Sequence, residues 1–109
     1  MAYDLGVAGR VRKALARQHG VTERKMFGGI AFLLHGNMCC GVLNHDLVLR
    51  LGDAGASAAL KQPHVRAMDY TGKPMASMVY VGPQGYITPK QLSAWIAKAV
   101  TYAASLKQK

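Results

Sequence analysis

The hydrophobic residues of this chain fall into short runs that end at turn-forming residues. Between positions 26 and 51, three apolar runs are separated by Gly36-Asn37 and by Asn44-His45-Asp46. A Gly-Asn pair tolerates the positive φ angles of a tight hairpin turn. Asn and Asp side chains hydrogen-bond the local backbone where a chain reverses. The pattern therefore predicts a three-stranded antiparallel meander in this stretch.

The segment before the meander has apolar residues at helical spacing. It predicts a helix over Tyr3–Gln18, in which Asp4 caps the N-terminus and Gly20 provides the C-terminal stop. We interpret the next residues, Val21–Lys25, as a connection between this helix and the meander.

The last helix has the strongest local signals in the chain. Thr88 is placed to cap it, Pro89 to be its first residue, and Gln91 to complete a capping box with Thr88. The residues that follow form an apolar stripe that must cover a sheet. The stripe consists of Leu92, Trp95, Ile96, Ala99, Val100, Ala103 and Leu106.

The middle of the chain predicts a short helix and two further strands. The helix spans Ala54–Lys61 with Asp53 as its cap, and the strands lie near Val65–Tyr70 and Pro74–Val81. The resulting order is α-β(3)-α-β(2)-α. We therefore expect an α+β fold, an antiparallel sheet with helices packed on it, in a single domain over residues 1–109.

Composition favours a small globular protein without a membrane segment. Half of the 109 residues are hydrophobic and 17% are charged, and the apolar runs have the length of strands. The N-terminus lacks the basic and apolar regions of a signal peptide, so we expect a cytoplasmic protein. The two cysteines, Cys39 and Cys40, are neighbours in a predicted strand, where one should enter the core and the other face outward.

The charge is strongly positive. Fourteen lysines and arginines accompany five aspartates and glutamates, which gives a formal net charge of +9. Such a surplus attracts nucleic acids and acidic proteins. Arg10, Lys13 and Arg17 share one side of the first helix, where they form either a solvated face or a strip that binds phosphates or acidic groups. Arg24 and Lys25 extend the set of candidate binding residues.

Residue types that carry out catalysis are present but scattered. The five acids lie on different elements and form no paired motif, and the four histidines show no metal-ligand spacing. We therefore expect no catalytic residues, no metal site and no cofactor.

Several short motifs resemble the N-terminal domain of the TfoX/Sxy competence regulators. They include Lys25-Met26-Phe27-Gly28-Gly29, the Gly36-Asn37 turn, Leu47–Leu51 and the segment Gly72-Lys73-Pro74-Met75. The resemblance implies the same element order, similar to secretion-chaperone-like folds. It also implies structural roles for Met26, Phe27, Gly28, Gly29, Gly72 and Lys73.

The resemblance further implies a non-enzymatic regulatory module associated with the control of DNA uptake. Its partner would be a protein of the transcription machinery or a transcription regulator. The alternative interpretation is a nucleic-acid-binding protein that uses the basic helix face. Full-length regulators of this family carry a second, C-terminal domain. Both a monomer and a homodimer are compatible with the sequence.

Overall fold

The computed structural model describes residues 3–26, 28–68 and 75–107. Three α-helices, six strands and one 3₁₀ turn are found in this part of the chain. They are α1 (Leu5–Ala14), β1 (Val21–Met26), β2 (Gly29–Leu34), β3 (Asn37–Leu43), β4 (Asp46–Arg50), α2 (Gly52–Ala59), β5 (Val65–Met68), β6 (Met75–Val81), the 3₁₀ turn (Pro83–Gly85) and α3 (Pro89–Ala104).

The strands form one antiparallel sheet of six strands in the order β1-β2-β3-β4-β6-β5. The predicted α+β fold and the three-stranded meander, now β2 to β4, are confirmed. The main core lies between one face of this sheet and residues of all three helices. A smaller cluster, built around Val48, Met68, Met78 and Tyr80, lies on the opposite face.

The structure contains one strand that the sequence analysis placed in a connection. Val21–Met26 pairs with β2 along its whole length, from Val21 opposite Leu34 to Met26 opposite Gly29. Its four central side chains are exposed, because β1 is the edge of the sheet and neither of its faces is well covered. Charged side chains are typical of edge strands. Because these polar side chains are consecutive, β1 lacks the alternation of apolar and polar residues by which a strand is recognised in a sequence.

The expectation that only one cysteine enters the core is wrong. Both Cys39 and Cys40 are buried in the main core. The register explains the difference, because Phe32 lies opposite Cys40 while Leu33 lies opposite Met38, which leaves Cys39 as the extra residue of a β-bulge. A bulge interrupts the alternation of side chains between the two faces. Both thiols are free.

The caps of α1 and α3 follow the predicted signals, whereas the end of α1 and both ends of α2 differ from the prediction. The Asp4 carboxylate accepts hydrogen bonds from two backbone N–H groups and caps α1, as predicted. Helix α1 ends at Ala14 with Leu15 as its C-cap, so the prediction that Gly20 provides its C-terminal stop is wrong. Thr88 caps α3 in a full capping box with Gln91. Asp53 lies in the first turn of α2 and does not cap it.

Candidate functional site

The predicted basic strip lines a groove between α1 and α3. Arg10 and Lys13 lie on α1, and Arg17 lies just beyond its C-terminus. Their spacing of three and four residues keeps them on one side of the helical segment. The groove has a volume of about 600 Å³. Its remaining lining comes from Ala14, Ala16, Pro89, Leu92 and Ser93.

The Arg10 side chain is hydrogen-bonded to the backbone just before α3. Its Nη2 donates hydrogen bonds to the carbonyl oxygens of Tyr86 at 2.9 Å and Ile87 at 3.0 Å. Its guanidinium also lies 5.5 Å from the centre of the Tyr86 ring. These contacts connect α1 to the residues that precede α3. Arg10 therefore fixes one end of the groove.

Lys13 and Arg17 are the cations of the groove that have no counter-ion. Within the described ranges 3–26, 28–68 and 75–107, neither side chain makes an ion pair or a hydrogen bond. Both residues are exposed. None of the acidic residues that the structure describes lines the groove. The site is consequently a positively charged groove with a partly apolar lining.

Arg12, which the sequence analysis did not single out, attaches α1 to the edge of the sheet. Its Nε and Nη2 donate to the two carboxylate oxygens of Glu23 at 2.6 and 2.8 Å. The hydrogen bond from Arg12 holds the pKa of the Glu23 carboxyl below its usual value. The pairing depends on Glu23 lying in β1, so it could not be found while that segment was interpreted as a connection.

Arg24 and Lys25 do not join the groove. They are neighbours in β1, so their side chains leave opposite faces of the sheet. Lys25 lies opposite Ile30, whose side chain belongs to the main core, and Arg24 lies opposite Ala31. The structure thus brings three of the five candidate binding residues together and places the other two on the sheet edge.

The motif positions that the structure describes meet at the β1–β2 hairpin. Met26 ends β1 and is half-buried. Gly28 has a φ of 76°, a conformation that side chains disfavour. A Cβ at Gly29 would overlap the carbonyl oxygen of Val42. Phe27, Gly72 and Lys73 lie outside the described residues.

A polar cluster lies where the β3–β4 turn meets the start of α1. Asp4 and His45 contact one another through Oδ2 and Nδ1 at 3.0 Å. This hydrogen bond, together with that from the Val7 N–H, lowers the pKa of Asp4. The Tyr86 hydroxyl donates to the His45 carbonyl oxygen. Burial, followed by the nearby Asp4 and Asp46 carboxylates, raises the pKa of Tyr86.

Asp46 and the two cysteines also take part in contacts within the fold. Asp46 pairs with Arg66 across the sheet. The hydrogen bond between the two thiols lowers the pKa of Cys39 and raises that of Cys40, with burial raising the pKa of Cys40 further. Among the residues that the structure describes, no three His, Cys, Asp or Glu side chains gather as a metal site would require.

No helix in the described part of the chain is long and apolar enough to cross a membrane.

These features define a small α+β domain whose distinctive surface is a basic groove between its first and last helices. The model of the TfoX N-terminal domain family matches residues 13–103. The chain therefore belongs to the TfoX N-terminal domain family. Comparisons with curated proteins and with solved structures gave no match.

Proposed function

We propose that this chain is a non-enzymatic regulatory module that acts by binding a protein partner in the cytoplasm. The observation that carries the proposal is the groove between α1 and α3, in which Lys13 and Arg17 have no counter-ion in the described structure. Exposed cations beside an apolar surface suit recognition of a protein that offers both acidic and apolar side chains.

The contacts of the carboxylates and thiols support a non-enzymatic role. Catalysis needs a nucleophile, a base or paired carboxylates aimed into a cleft. Here the carboxylates of Glu23 and Asp46 each pair with an arginine, and the Asp4 carboxylate is hydrogen-bonded to His45 and to the backbone of α1. The Cys39 and Cys40 thiols are buried in the core. These groups stabilise the fold, and the groove displays only positive charge and small or apolar surface.

Membership of the TfoX N-terminal domain family supports a regulatory role. The resemblance to TfoX/Sxy competence regulators points to a partner within the transcription machinery or to a transcription regulator. Fold membership alone assigns no partner, so the proposal is tested at the groove.

The test is affinity capture at physiological salt with matched variants. The wild-type domain and the double variant Lys13→Glu/Arg17→Glu are immobilised and exposed to lysate, and the recovered proteins are identified by mass spectrometry. The control is Lys61→Glu/Lys107→Glu, which changes the net charge equally at two residues that do not line the groove. A partner recovered by wild type and by the control, but lost with the groove variant, supports the proposal. Recovery of no reproducible protein contradicts it.

The second candidate function is nucleic-acid binding. It is favoured by the net charge of +9 and by the two cations without counter-ions on α1 and just beyond it, within the part of the chain that the structure describes. Titration of a labelled DNA duplex should then show affinity that falls with salt. The logarithmic salt slope should decrease by about two in Lys13→Ala/Arg17→Ala, since each phosphate contact contributes about 0.9. Absence of binding at low salt contradicts this candidate.

A further inference from the structure

We infer that the groove between α1 and α3 binds a short acidic segment of a protein, with an apolar side chain placed against Ala14 and Pro89 and carboxylates placed against Lys13 and Arg17. This inference rests on the proposed function and names the chemistry of the partner. It also divides the basic strip into two parts, because Lys13 and Arg17 bind the segment whereas Arg10 is a positioning residue.

The dimensions of the groove suit side chains of a short segment. Its volume of about 600 Å³ falls within the range of about 300–1,000 Å³ that is typical of small-ligand sites. Ala14 and Pro89 are exposed and supply the accessible apolar surface, whereas Leu92, which is 3% exposed, belongs to the core beneath them. Such a site takes one or two side chains.

The charge in the groove selects acidic residues. Arg17 offers a planar guanidinium that can hold a carboxylate through two parallel hydrogen bonds, and Lys13 offers a point charge beside it. Both are exposed, so they are accessible from solvent. The cap of α3 is already formed, because the Thr88 hydroxyl accepts the Gln91 N–H at 3.1 Å. The side chains, and not the helix end, therefore supply the binding charge.

The apolar lining favours a peptide over a nucleic acid. Nucleic-acid backbones are bound by arrays of cations that follow successive phosphates. In the described structure, two cations without counter-ions stand beside the exposed Ala14 and Pro89, and Arg24 and Lys25 project elsewhere from β1. A phosphate backbone would leave the apolar lining uncovered, whereas an acidic segment with a leucine-like side chain would cover it.

Arg10 positions the two walls of the groove and does not itself bind the segment. Its bonds to the Tyr86 and Ile87 carbonyl oxygens hold the residues before α3 against α1. The distance between Lys13 on one wall and Pro89 on the other is set by this connection. Replacing Arg10 by Lys keeps the charge but cannot reproduce the planar guanidinium, so binding should weaken while the net charge is unchanged.

The experiment measures fluorescence anisotropy of a fluorescein-labelled peptide of alternating glutamates and leucines against the full chain. Wild type should bind it, and Lys13→Glu/Arg17→Glu should weaken binding by about tenfold or more. The charge-matched control Lys61→Glu/Lys107→Glu should weaken it by less than about threefold, since distant exposed charges are screened. A peptide of glutamates without leucines should bind several-fold more weakly, roughly in line with loss of one buried apolar side chain.

A second pair of variants tests whether the peptide binds in the groove, without removing a cation. Ser93→Glu adds a carboxylate inside the groove, and Ser57→Glu makes the same change at an exposed position of α2 outside it. Ser93→Glu should reduce binding of the acidic peptide and Ser57→Glu should leave it close to wild type. Circular dichroism of each variant verifies that it is folded.

Three results would overturn the inference. They are no binding of the acidic peptide at low salt, equal loss of binding in the groove variant and in its charge-matched control, and tighter binding of single-stranded DNA of equal length than of the peptide. If affinity capture recovers a partner that Lys13→Glu/Arg17→Glu still binds, the proposed function stands and the assignment of the groove fails. The two proposals therefore fail on different results.

Discussion

The two helices that form the groove are stabilised in different ways. Helix α3 has 16 residues, a complete capping box and a buried apolar stripe. Helix α1 has 10 residues and contains two glycines, which favour helix less than other residues except proline. Its cap and its own side chains attach it to other elements. Asp4 contacts His45, Arg10 donates to the backbone carbonyl oxygens of Tyr86 and Ile87, and Arg12 pairs with Glu23.

This difference separates the part of the groove that rests on local helix signals from the part that rests on tertiary contacts. An isolated helix as short as α1 is marginal in water, so its position is set by these few polar contacts and by the packing of Val7, Ala8 and Val11. The cation Lys13 of the groove is carried by α1, whereas the apolar Leu92 is carried by α3. Changes at α3 should therefore affect the whole fold, and changes at the contacts of α1 should affect mainly the groove.

The largest effect is expected in the core face of α3. Ile96→Ala removes a side chain that is 3% exposed, and the free energy of unfolding should fall by about 2–5 kcal/mol. The same change at Ile87, which is 65% exposed, should alter it by less than about 0.5 kcal/mol. Urea denaturation followed by the fluorescence of Trp95 measures both. Similar losses in the two variants would show that the buried stripe of α3 does not stabilise the main core.

The next effect tests the main polar attachment of α1. Arg10→Ala leaves the Tyr86 and Ile87 carbonyl oxygens without their donor, and the free energy of unfolding should fall by about 1–3 kcal/mol. Hydrogen exchange should speed up at α1 amides such as that of Val11 more than at α3 amides such as that of Ala99. Arg17→Ala is the matched control, because its side chain is exposed and makes no hydrogen bond within the described part of the chain. If Arg10→Ala increased the exchange rate equally in both helices, α1 would not depend on this contact more than α3 does.

The same comparison explains how much could be predicted from the sequence. The cap, first residue and apolar stripe of α3 are local signals, and all were predicted. The neighbourhood of Arg10 and Lys13 was also predicted, because helical spacing fixes it, whereas Arg17 lies in the turn after the end of α1. That Arg10 is occupied by carbonyl oxygens 76 and 77 residues away could not be predicted, since only tertiary packing brings these groups together.

The features that the sequence analysis missed also depend on distant partners. Strand β1 has exposed charged side chains and no alternation, so only its pairing with β2 reveals it. The burial of both cysteines depends on a bulge opposite Phe32 and Leu33. The division of Arg24 and Lys25 between two faces follows directly once β1 is known to be a strand.

A smaller effect is expected at the N-terminus of α3. Thr88→Ala removes the hydroxyl that accepts the Gln91 N–H, and the free energy of unfolding should fall by about 1 kcal/mol. Thr88→Ser keeps a capping hydroxyl and should retain most of the stability. Urea denaturation of the three proteins measures the difference. If serine is as destabilising as alanine, the capping hydrogen bond is not what stabilises this end of the helix.

The smallest effect concerns the cap of α1 and its dependence on pH. Asp4 has a folded-state pKa below its usual 3.8, chiefly because of the hydrogen bond with His45. Its contribution to stability is therefore complete above pH 3.8 and is lost as the pH falls through the lower folded-state pKa. Asp4→Asn keeps an acceptor for the Gly6 and Val7 N–H groups but removes the charge.

The difference in unfolding free energy between wild type and Asp4→Asn should thus be constant between about pH 5 and pH 4 and shrink below that. Urea denaturation at a series of pH values measures it, with Asp53→Asn, in the first turn of α2, as the matched control. A difference that stays the same down to about pH 2 would mean that the Asp4 carboxylate gains nothing from His45. Helix α1 would then depend on Arg10, Arg12 and apolar packing for its position, and its N-terminus would resemble that of α3 in being capped by local hydrogen bonds alone.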